Sequence, residues 1–185
     1  MSFNQDGRLD PDEALRLLDT LSDESGLDFT MLLESKGAVV EGESDRKFED
    51  GKKRMAIGGY HYCTDIVMPP GGSKGQIRSS MLVVVRHSDA ATASIASMLK
   101  NQDTDITATI SVFKAGGDVS KDQQPMLELV LTEARVHTQS LLTGGNPKRP
   151  CEIVYFNFRK IEIRSAPQLD TGLRGAVRTC VLTKS

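Results

Sequence analysis

The chain has 185 residues, a formal net charge of −2 and no tryptophan. This length suits one domain with a proper core and is too short for two domains of ordinary size. Charge is uneven, because residues 1–50 hold 14 acidic and 5 basic side chains whereas residues 51–185 hold 11 and 18. The split is too dilute for a nucleic-acid-binding surface, but it favours head-to-tail contacts between copies of the chain.

Three cysteines, Cys63, Cys151 and Cys180, form an odd set without close pairing or metal-type spacing. This pattern predicts reduced thiols in a cytoplasmic protein. No charged-then-apolar leader opens the sequence, and no apolar run approaches 18 residues. We therefore expect neither a signal peptide nor a membrane span, so export would need a dedicated machine.

The N-terminal stretch allows two interpretations. Residues 2–13 partly match a calcium-binding loop, although Ser2 stands where the first acidic ligand belongs and no helix precedes the loop. The favoured alternative is an acidic extension with a short helix, in which Asp10 is the cap and Pro11 the first residue. The apolar face of this helix comprises Ala14, Leu15, Leu17, Leu18 and Leu21. That face needs a surface to cover, on the domain or on a neighbouring copy.

Strand patterns begin at Leu27. An alternating run and residues 38–40 form a predicted hairpin about a turn at residues 35–37. Residues 42–54 are charged and lack an apolar period, which predicts a solvated connection with a soluble basic edge at its end. Residues 55–66 resume as a strand, with a bulge or bend at Gly58-Gly59.

The middle of the chain predicts a strand, a helix and a strand. Residues 81–85 are apolar and β-branched, and a charged turn at residues 86–89 closes them. Ser88 or Asp89 can cap the helix that follows. The apolar face of this helix comprises Ala91, Ile95, Met98 and Leu99. Residues 104–113 then alternate between apolar and polar side chains, as a half-buried strand does.

Strands dominate the remainder of the chain. Residues 126–140 and 152–163 each predict a long strand, and the apolar period of the second shifts at Lys160. Residues 175–182 form a last strand-like run. About eight strands and one internal helix predict a mainly β fold, a rolled β-barrel with the short α-helix packed on it and an N-terminal helical extension.

Residues 67–79 form a predicted arm between two strands. They include two prolines and three glycines together with exposed apolar side chains. Prolines stiffen the start of such a loop and glycines permit tight turns, so we expect the arm to dock on a neighbouring copy. The candidate interface residues are Val67, Met68, Pro69, Pro70, Gly71, Gly72 and Ile77.

Residues able to support catalysis are scattered. His61, His87 and His137 have no companion Cys, His or carboxylate at ligand spacing. Cys63 and Cys180 fall in apolar strand patterns and are expected to be buried structural cysteines. Residues 71–75 lack the order of a phosphate-binding loop. The sequence therefore predicts no catalytic residues, no cofactor and no metal site, and a protein that is not an enzyme.

Three segments carry a resemblance to a known family. They are LVVVRHSDAATASIASMLKNQDTDITATISVFKAGG, MLELVLTEARVHTQSLLTGG and CEIVYFNFRKIEIR. Residues 158–162, Phe-Arg-Lys-Ile-Glu, match the family's terminal strand, in which aromatic residues precede Arg or Tyr followed by Lys-Ile-Glu. Over roughly residues 27–164 the chain resembles the Hcp (haemolysin-coregulated protein) family, the tube proteins of type VI secretion systems.

The resemblance implies a function in assembly. Family members form hexameric rings that stack into a hollow tube inside a contractile sheath, and the expelled tube can carry effectors in its lumen. The implied partners are further copies, the sheath, the spike and effectors, without nucleic-acid binding or membrane insertion. The implied location is the bacterial cytoplasm, followed by secretion through the system without a signal peptide.

The chain extends past both ends of the resemblance. We therefore divide it into an acidic extension with a short helix (1–26), an Hcp-like barrel domain (27–165) and a C-terminal extension with a possible extra strand (166–185). Two other functions stay open. One is a monomeric calcium- or ligand-binding β-domain, and the other is a phage-type tail-tube protein.

Overall fold

A computed structural model describes residues 27–68, 70–72, 74–114, 124–144, 148–167 and 175–184. These ranges contain twelve β-strands and one α-helix. The strands are β1 (Leu27–Ser35), β2 (Ala38–Val40), β3 (Met55–Ala56), β4 (Gly59–His61), β5 (Thr64–Val67), β6 (Gln76–Ser79), β7 (Leu82–His87), β8 (Ile106–Lys114), β9 (Leu127–Gly144), β10 (Arg149–Asn157), β11 (Lys160–Ser165) and β12 (Arg178–Thr183). The helix is α1 (Ala91–Asn101). The calcium-type loop and the helix predicted before Leu27 lie outside the described residues.

The long strand β9 organises the sheet. Its first part pairs with β8 on one side and β11 on the other, and its second part pairs with β10. Each pairing is antiparallel. At the change of partner Glu133 has φ 51°, and His137 is an extra residue, because Val136 pairs with Phe156 while Thr138 pairs with Tyr155. Such irregularities bend a strand, so β9 turns from one half of the barrel wall into the other.

The same bend divides the strand predicted over residues 152–163. It is two strands, β10 and β11, separated by Phe158 and Arg159. The shift in apolar period at Lys160 coincides with the first residue of β11. Because the chain turns at this corner, the side chains that face the interior change from one alternating set to the other.

A short segment closes the barrel. Strand β3 pairs with β1, and β4 pairs with β7. Between them the amide of Ile57 donates to the carbonyl of Phe29 at 3.1 Å, and the amide of Gly58 donates to the carbonyl of Val85 at 2.8 Å. The bend predicted at Gly58-Gly59 therefore joins the two edges of the sheet, and the predicted mainly β barrel with one short helix is confirmed.

The barrel interior is filled by apolar side chains from all parts of its wall. Fully buried members of this core are Met31, Leu33, Met55, Leu82, Val84, Ile95, Ile106, Ala108, Ile110, Leu131, Ala134, Val154, Phe156 and Ile161. Helix α1 belongs to the same core through Ala91, Ile95 and Met98. The N-cap of α1 is Ala90, without a side-chain cap hydrogen bond, so the predicted cap at Ser88 or Asp89 lies too early in the chain. Asp89, one residue before the N-cap, accepts a hydrogen bond from the amide of Ala91 at 2.8 Å.

The connection over residues 42–54 is only partly the expected solvated loop, since most of its charged side chains are exposed but its aromatic residue is packed. Phe48 lies against Phe113 of β8, with ring centroids 6.0 Å apart. The guanidinium of Arg46 lies 4.0 Å above the Phe113 ring, and that of Arg54 lies 3.7 Å above the Phe48 ring. These two arginines stack on aromatic rings, where their stems cover apolar surface.

Twelve strands exceed the expected eight because residues 55–66 and residues 152–163 are each subdivided and the arm contributes β6. The predicted strand over residues 55–66 contains β3, β4 and the start of β5, and the arm contains the remainder of β5 and β6. The strand-like run near the C terminus is β12, which pairs with β11 in register from Lys160–Thr183 to Ser165–Arg178.

Candidate assembly surface

The predicted arm is a β-hairpin that stands apart from the barrel. Strands β5 and β6 form a separate two-stranded sheet in which Ile66 pairs with Ile77 and Val67 with Gln76. In the described residues, neither strand pairs with the barrel sheet. The arm was expected to be a loop, but its base is a two-stranded sheet. The β-branched residues Ile66 and Ile77 face each other across the two strands, and such pairs stabilise a sheet.

One face of this hairpin is apolar. Ile66 and Ile77 lie directly opposite each other and are 65% and 52% exposed. Met68, two residues after Ile66 and 56% exposed, continues the same face beyond the strand. We call these three side chains the hairpin face. Val67 is 39% exposed and points to the opposite side with Gln76, so the apolar residues predicted for the interface are divided between two faces.

Hydrogen bonds join the two segments at the base of the hairpin. The Tyr62 hydroxyl donates to Ser79 Oγ at 3.0 Å. The amide of Cys63 donates to Ser80 Oγ at 3.0 Å, and the amide of Ser80 donates to the carbonyl of Cys63 at 2.9 Å. These bonds hold the two segments together where they leave the barrel wall.

Glycines shape the tip. A Cβ atom on Gly75 would collide with the side chain of Ile66 and would lie 2.8 Å from Met68 Sδ. Only glycine allows the returning chain to pass so close to the hairpin face. Gly71 has φ 74°, which glycine adopts without strain. Pro70, Gly71 and Gly72 are exposed at this tip, and Pro69 lies outside the described residues.

Sequence reasoning missed Ile66. The strand pattern over residues 55–66 ends at Ile66, which is the most exposed large apolar residue of the hairpin. The available signal was its spacing, since Ile66 and Met68 are two residues apart and share a face in any extended chain. Other exposed large apolar side chains in the described ranges are Leu141, Val177 and Val181.

The three histidines considered as catalytic or metal-binding residues lie on different strands. His61 is on β4, His87 ends β7 and His137 is the extra residue in β9. Within the residues that the structure describes, no three His, Cys, Asp or Glu side chains form a group that could hold a metal ion. In the same ranges, no helix has the length and apolar character needed to cross a membrane.

The expectation that Cys63 and Cys180 are buried was wrong for both residues. Cys63 and Cys180 are exposed, whereas Cys151 is buried. Cys63 lies at the base of the hairpin and Cys180 on β12, whose residues are mostly exposed. An apolar strand pattern does not bury a residue when its strand lies outside the packed wall.

Comparisons with known proteins agree with this architecture. The family model described as "Type VI secretion system effector, Hcp" matches residues 33–164. A solved structure titled "Structure of a type six secretion system protein" is 21% identical with a TM-score of 0.64, covering 81% of this chain and 91% of that one.

Hcp1 from Salmonella typhimurium is 15% identical with a TM-score of 0.60, over 84% of this chain and 95% of that one. Hcp3 from Pseudomonas aeruginosa is 13% identical with a TM-score of 0.58, over 85% and 97%. At these identities the structures establish a common fold. No curated protein matches the sequence. Because the family model covers more than two thirds of its residues, the chain belongs to the Hcp family of type VI secretion system proteins.

Proposed function

We propose that this protein is a structural subunit of a type VI secretion tube. Copies form hexameric rings, and the rings stack into the inner tube that the sheath expels. Membership of the Hcp family supports this proposal, because Hcp proteins are tube components of these systems. The partners that follow are other copies of the chain, the sheath, the spike and the transported effectors.

The observation that carries the proposal is the hairpin face. Ile66, Met68 and Ile77 are each more than half exposed on a hairpin that projects from the barrel. Exposed contiguous apolar surface marks interaction sites in soluble proteins. Burying the exposed half of one such side chain against a neighbour contributes about 1 kcal/mol. In a closed ring this free energy is gained at every contact between neighbours, since the hairpin of each copy packs on the next copy.

The filled barrel determines where cargo can travel. Its interior is occupied by side chains such as Leu33, Ile110 and Phe156, which are fully buried. A polypeptide effector cannot enter a core of this packing density. Effectors therefore pass through the lumen that the ring of barrels encloses, and the residues that face them lie on the outside of the barrel.

Sedimentation and electron microscopy of the full chain test the proposal. The expected result is a species of six times 20.2 kDa in equilibrium with smaller ones, and ring-shaped particles in negative stain. A chain that sediments only as a monomer at high concentration would contradict the tube function. A monomer that also becomes more stable on addition of calcium would favour the ligand-binding alternative.

A further inference from the structure

Phe158, in the corner between β10 and β11, contacts two segments from distant parts of the chain. It is 4% exposed and belongs to the interior core. Its ring centroid lies 5.9 Å from that of Tyr62, and the two ring planes are inclined at 59°. The ammonium of Lys184 lies over the same ring, with Nζ 4.2 Å from the ring centroid. One buried aromatic ring therefore joins a residue near the start of β5 to the residue that follows β12.

Tyr62 connects Phe158 to the hairpin of β5 and β6. It lies between β4 and β5, and its hydroxyl donates to Oγ of Ser79, the last residue of β6, at 3.0 Å. Tyr62 is thus two residues from β5 along the chain and hydrogen-bonded to β6. Tilted aromatic rings attract each other beyond the effect of the area they bury. The contact between the two rings therefore holds the base of the hairpin against the barrel.

Lys184 contacts every residue of the corner, which comprises Asn157, Phe158 and Arg159. Its amide donates to the carbonyl of Arg159 at 2.7 Å, directly after β12 ends. Its ammonium donates to Asn157 Oδ1 at 3.2 Å, and the same oxygen accepts from the amide of Phe158 at 3.0 Å. These contacts restrain both the backbone and the ring of Phe158. We call Lys184 with its contacts to the corner the C-terminal anchor.

The ammonium of Lys184 is held by neutral groups. Burial lowers the pKa of Lys184, because the charged form has lost part of its water. In the described ranges its contacts are the amide oxygen of Asn157 and the face of the Phe158 ring. The quadrupole of an aromatic ring attracts a cation, and more strongly where water is excluded. The anchor therefore depends on a positive charge at position 184 and not merely on a long side chain.

We propose that the C-terminal anchor presets the direction in which the hairpin face is presented to a neighbouring copy, with Lys184 as its positioning residue. The inference deepens the proposed ring function and rests on it. A hairpin that is already held in its docking direction loses less conformational freedom when it binds. The family-model match ends at residue 164, and β12 and Lys184 follow it. A strand beyond the matched region therefore adjusts how readily copies associate.

A distance measurement in the monomer tests the positioning role. Spin labels are attached to Gln76→Cys in β6 and Lys100→Cys in α1, both of which replace exposed residues. The background is Cys63→Ser/Cys180→Ser, in which the remaining native thiol, Cys151, is buried. The distance between the labels is measured by pulsed electron paramagnetic resonance in the monomeric fraction. The parent should give one narrow distance distribution, because the hairpin is held in one direction.

Lys184→Gln should broaden this distribution, because a neutral side chain no longer attracts the Phe158 ring. Lys184→Arg keeps the positive charge and should keep the distribution narrow. Arg178→Gln removes a charge at the exposed opposite end of β12 and should change nothing. A contact that contributed only to folding stability would not alter the distance in folded monomers. A broad distribution in the parent, or an equally narrow one in Lys184→Gln, overturns the proposal.

Sedimentation of the unlabelled variants tests the link to assembly. Lys184→Gln should lower the association constant at each contact between copies roughly threefold to tenfold, as expected from the loss of one cation–ring contact. Arg178→Gln should associate as the parent does. If the hairpin of Lys184→Gln is mobile and the variant still assembles like the parent, the proposal is wrong. A parent that never assembles contradicts the ring function instead, and the distance measurement then decides whether Lys184 holds the hairpin.

Discussion

Arg86 and Glu152 face each other across β7 and β10 inside the barrel, with Nε 3.1 Å from Oε1 and neither side chain exposed. Asp89 supplies a second carboxylate to the same guanidinium. Gln139 donates to Glu152 Oε2, and Thr92 of α1 donates to Oε1 at 3.3 Å. One end of the barrel core is therefore a polar cluster that holds the start of α1 against the wall.

Removing one member of this cluster should be costly. Glu152→Leu leaves the Arg86 guanidinium buried with less compensation, and the free energy of unfolding should fall by about 3–5 kcal/mol. The double variant Arg86→Met/Glu152→Leu should lose less free energy of unfolding, since both buried charges are gone. Urea denaturation measures both. As a control, Arg159→Ala breaks the exposed pair with Glu133 and should cost less than about 1 kcal/mol. A Glu152→Leu variant as stable as the parent would contradict the structural role of the pair.

Gly42 should not tolerate a side chain. A Cβ atom there would lie 2.6 Å from the Arg54 carbonyl oxygen and from Met55 Cα. Because backbone cannot move aside cheaply, Gly42→Ala should lower the free energy of unfolding by about 1–3 kcal/mol. Glu41→Ala, at an exposed neighbouring position, is the matched control. Equal denaturation midpoints for the two variants would show that the segment over residues 42–54 packs less closely than described.

Tyr155 should make stability fall at high pH. Burial raises the pKa of Tyr155 from its ordinary value of 10.0 to about 12. The neutral phenol is thus favoured in the folded chain, and this contribution is complete below pH 10 and lost as pH rises through about 12. The loss should reach roughly 3 kcal/mol.

Tyr155→Phe should remove this pH dependence. At neutral pH its stability should match or exceed that of the parent, because the hydroxyl has no partner to lose. Urea denaturation of the two proteins between pH 8 and about pH 12 measures the difference. If the parent and Tyr155→Phe lose the same stability as pH rises, groups other than Tyr155 cause the alkaline transition.

The hairpin face should control assembly without controlling folding. Ile66→Glu places a charge where burial against a neighbour is proposed, so it should weaken rings at least roughly tenfold by sedimentation. Gln76→Glu adds the same charge on the opposite side of the hairpin and should have little effect. Deleting residues 71–75 should also leave the circular dichroism spectrum unchanged while weakening rings or their stacking. If both altered proteins assemble as readily as the parent, the hairpin is only a connection.

Local periodicity determined much of the secondary structure. Spacings of three and four predicted α1 with its buried Ile95 and Met98, and alternation predicted β1, β8 and β9. The turn at residues 35–37 predicted the β1–β2 hairpin, in which Ser35 pairs with Ala38. These features depend on neighbours within a few residues, since periods of 3.6 and 2 follow from backbone geometry. The family pattern around Ile161 is also local, which is why the family could be identified from the sequence.

Pairing between distant segments decided the rest. Arg86 belongs to a charged turn by sequence, yet it is buried because β7 pairs with β10 and brings Glu152 beside it. Phe48 occupies a polar segment but packs on Phe113, which is far away along the chain. The sequence alone determined which residues alternate and where the helix lies. Only the tertiary structure decided which side of each strand is buried, because that depends on partners far away along the chain.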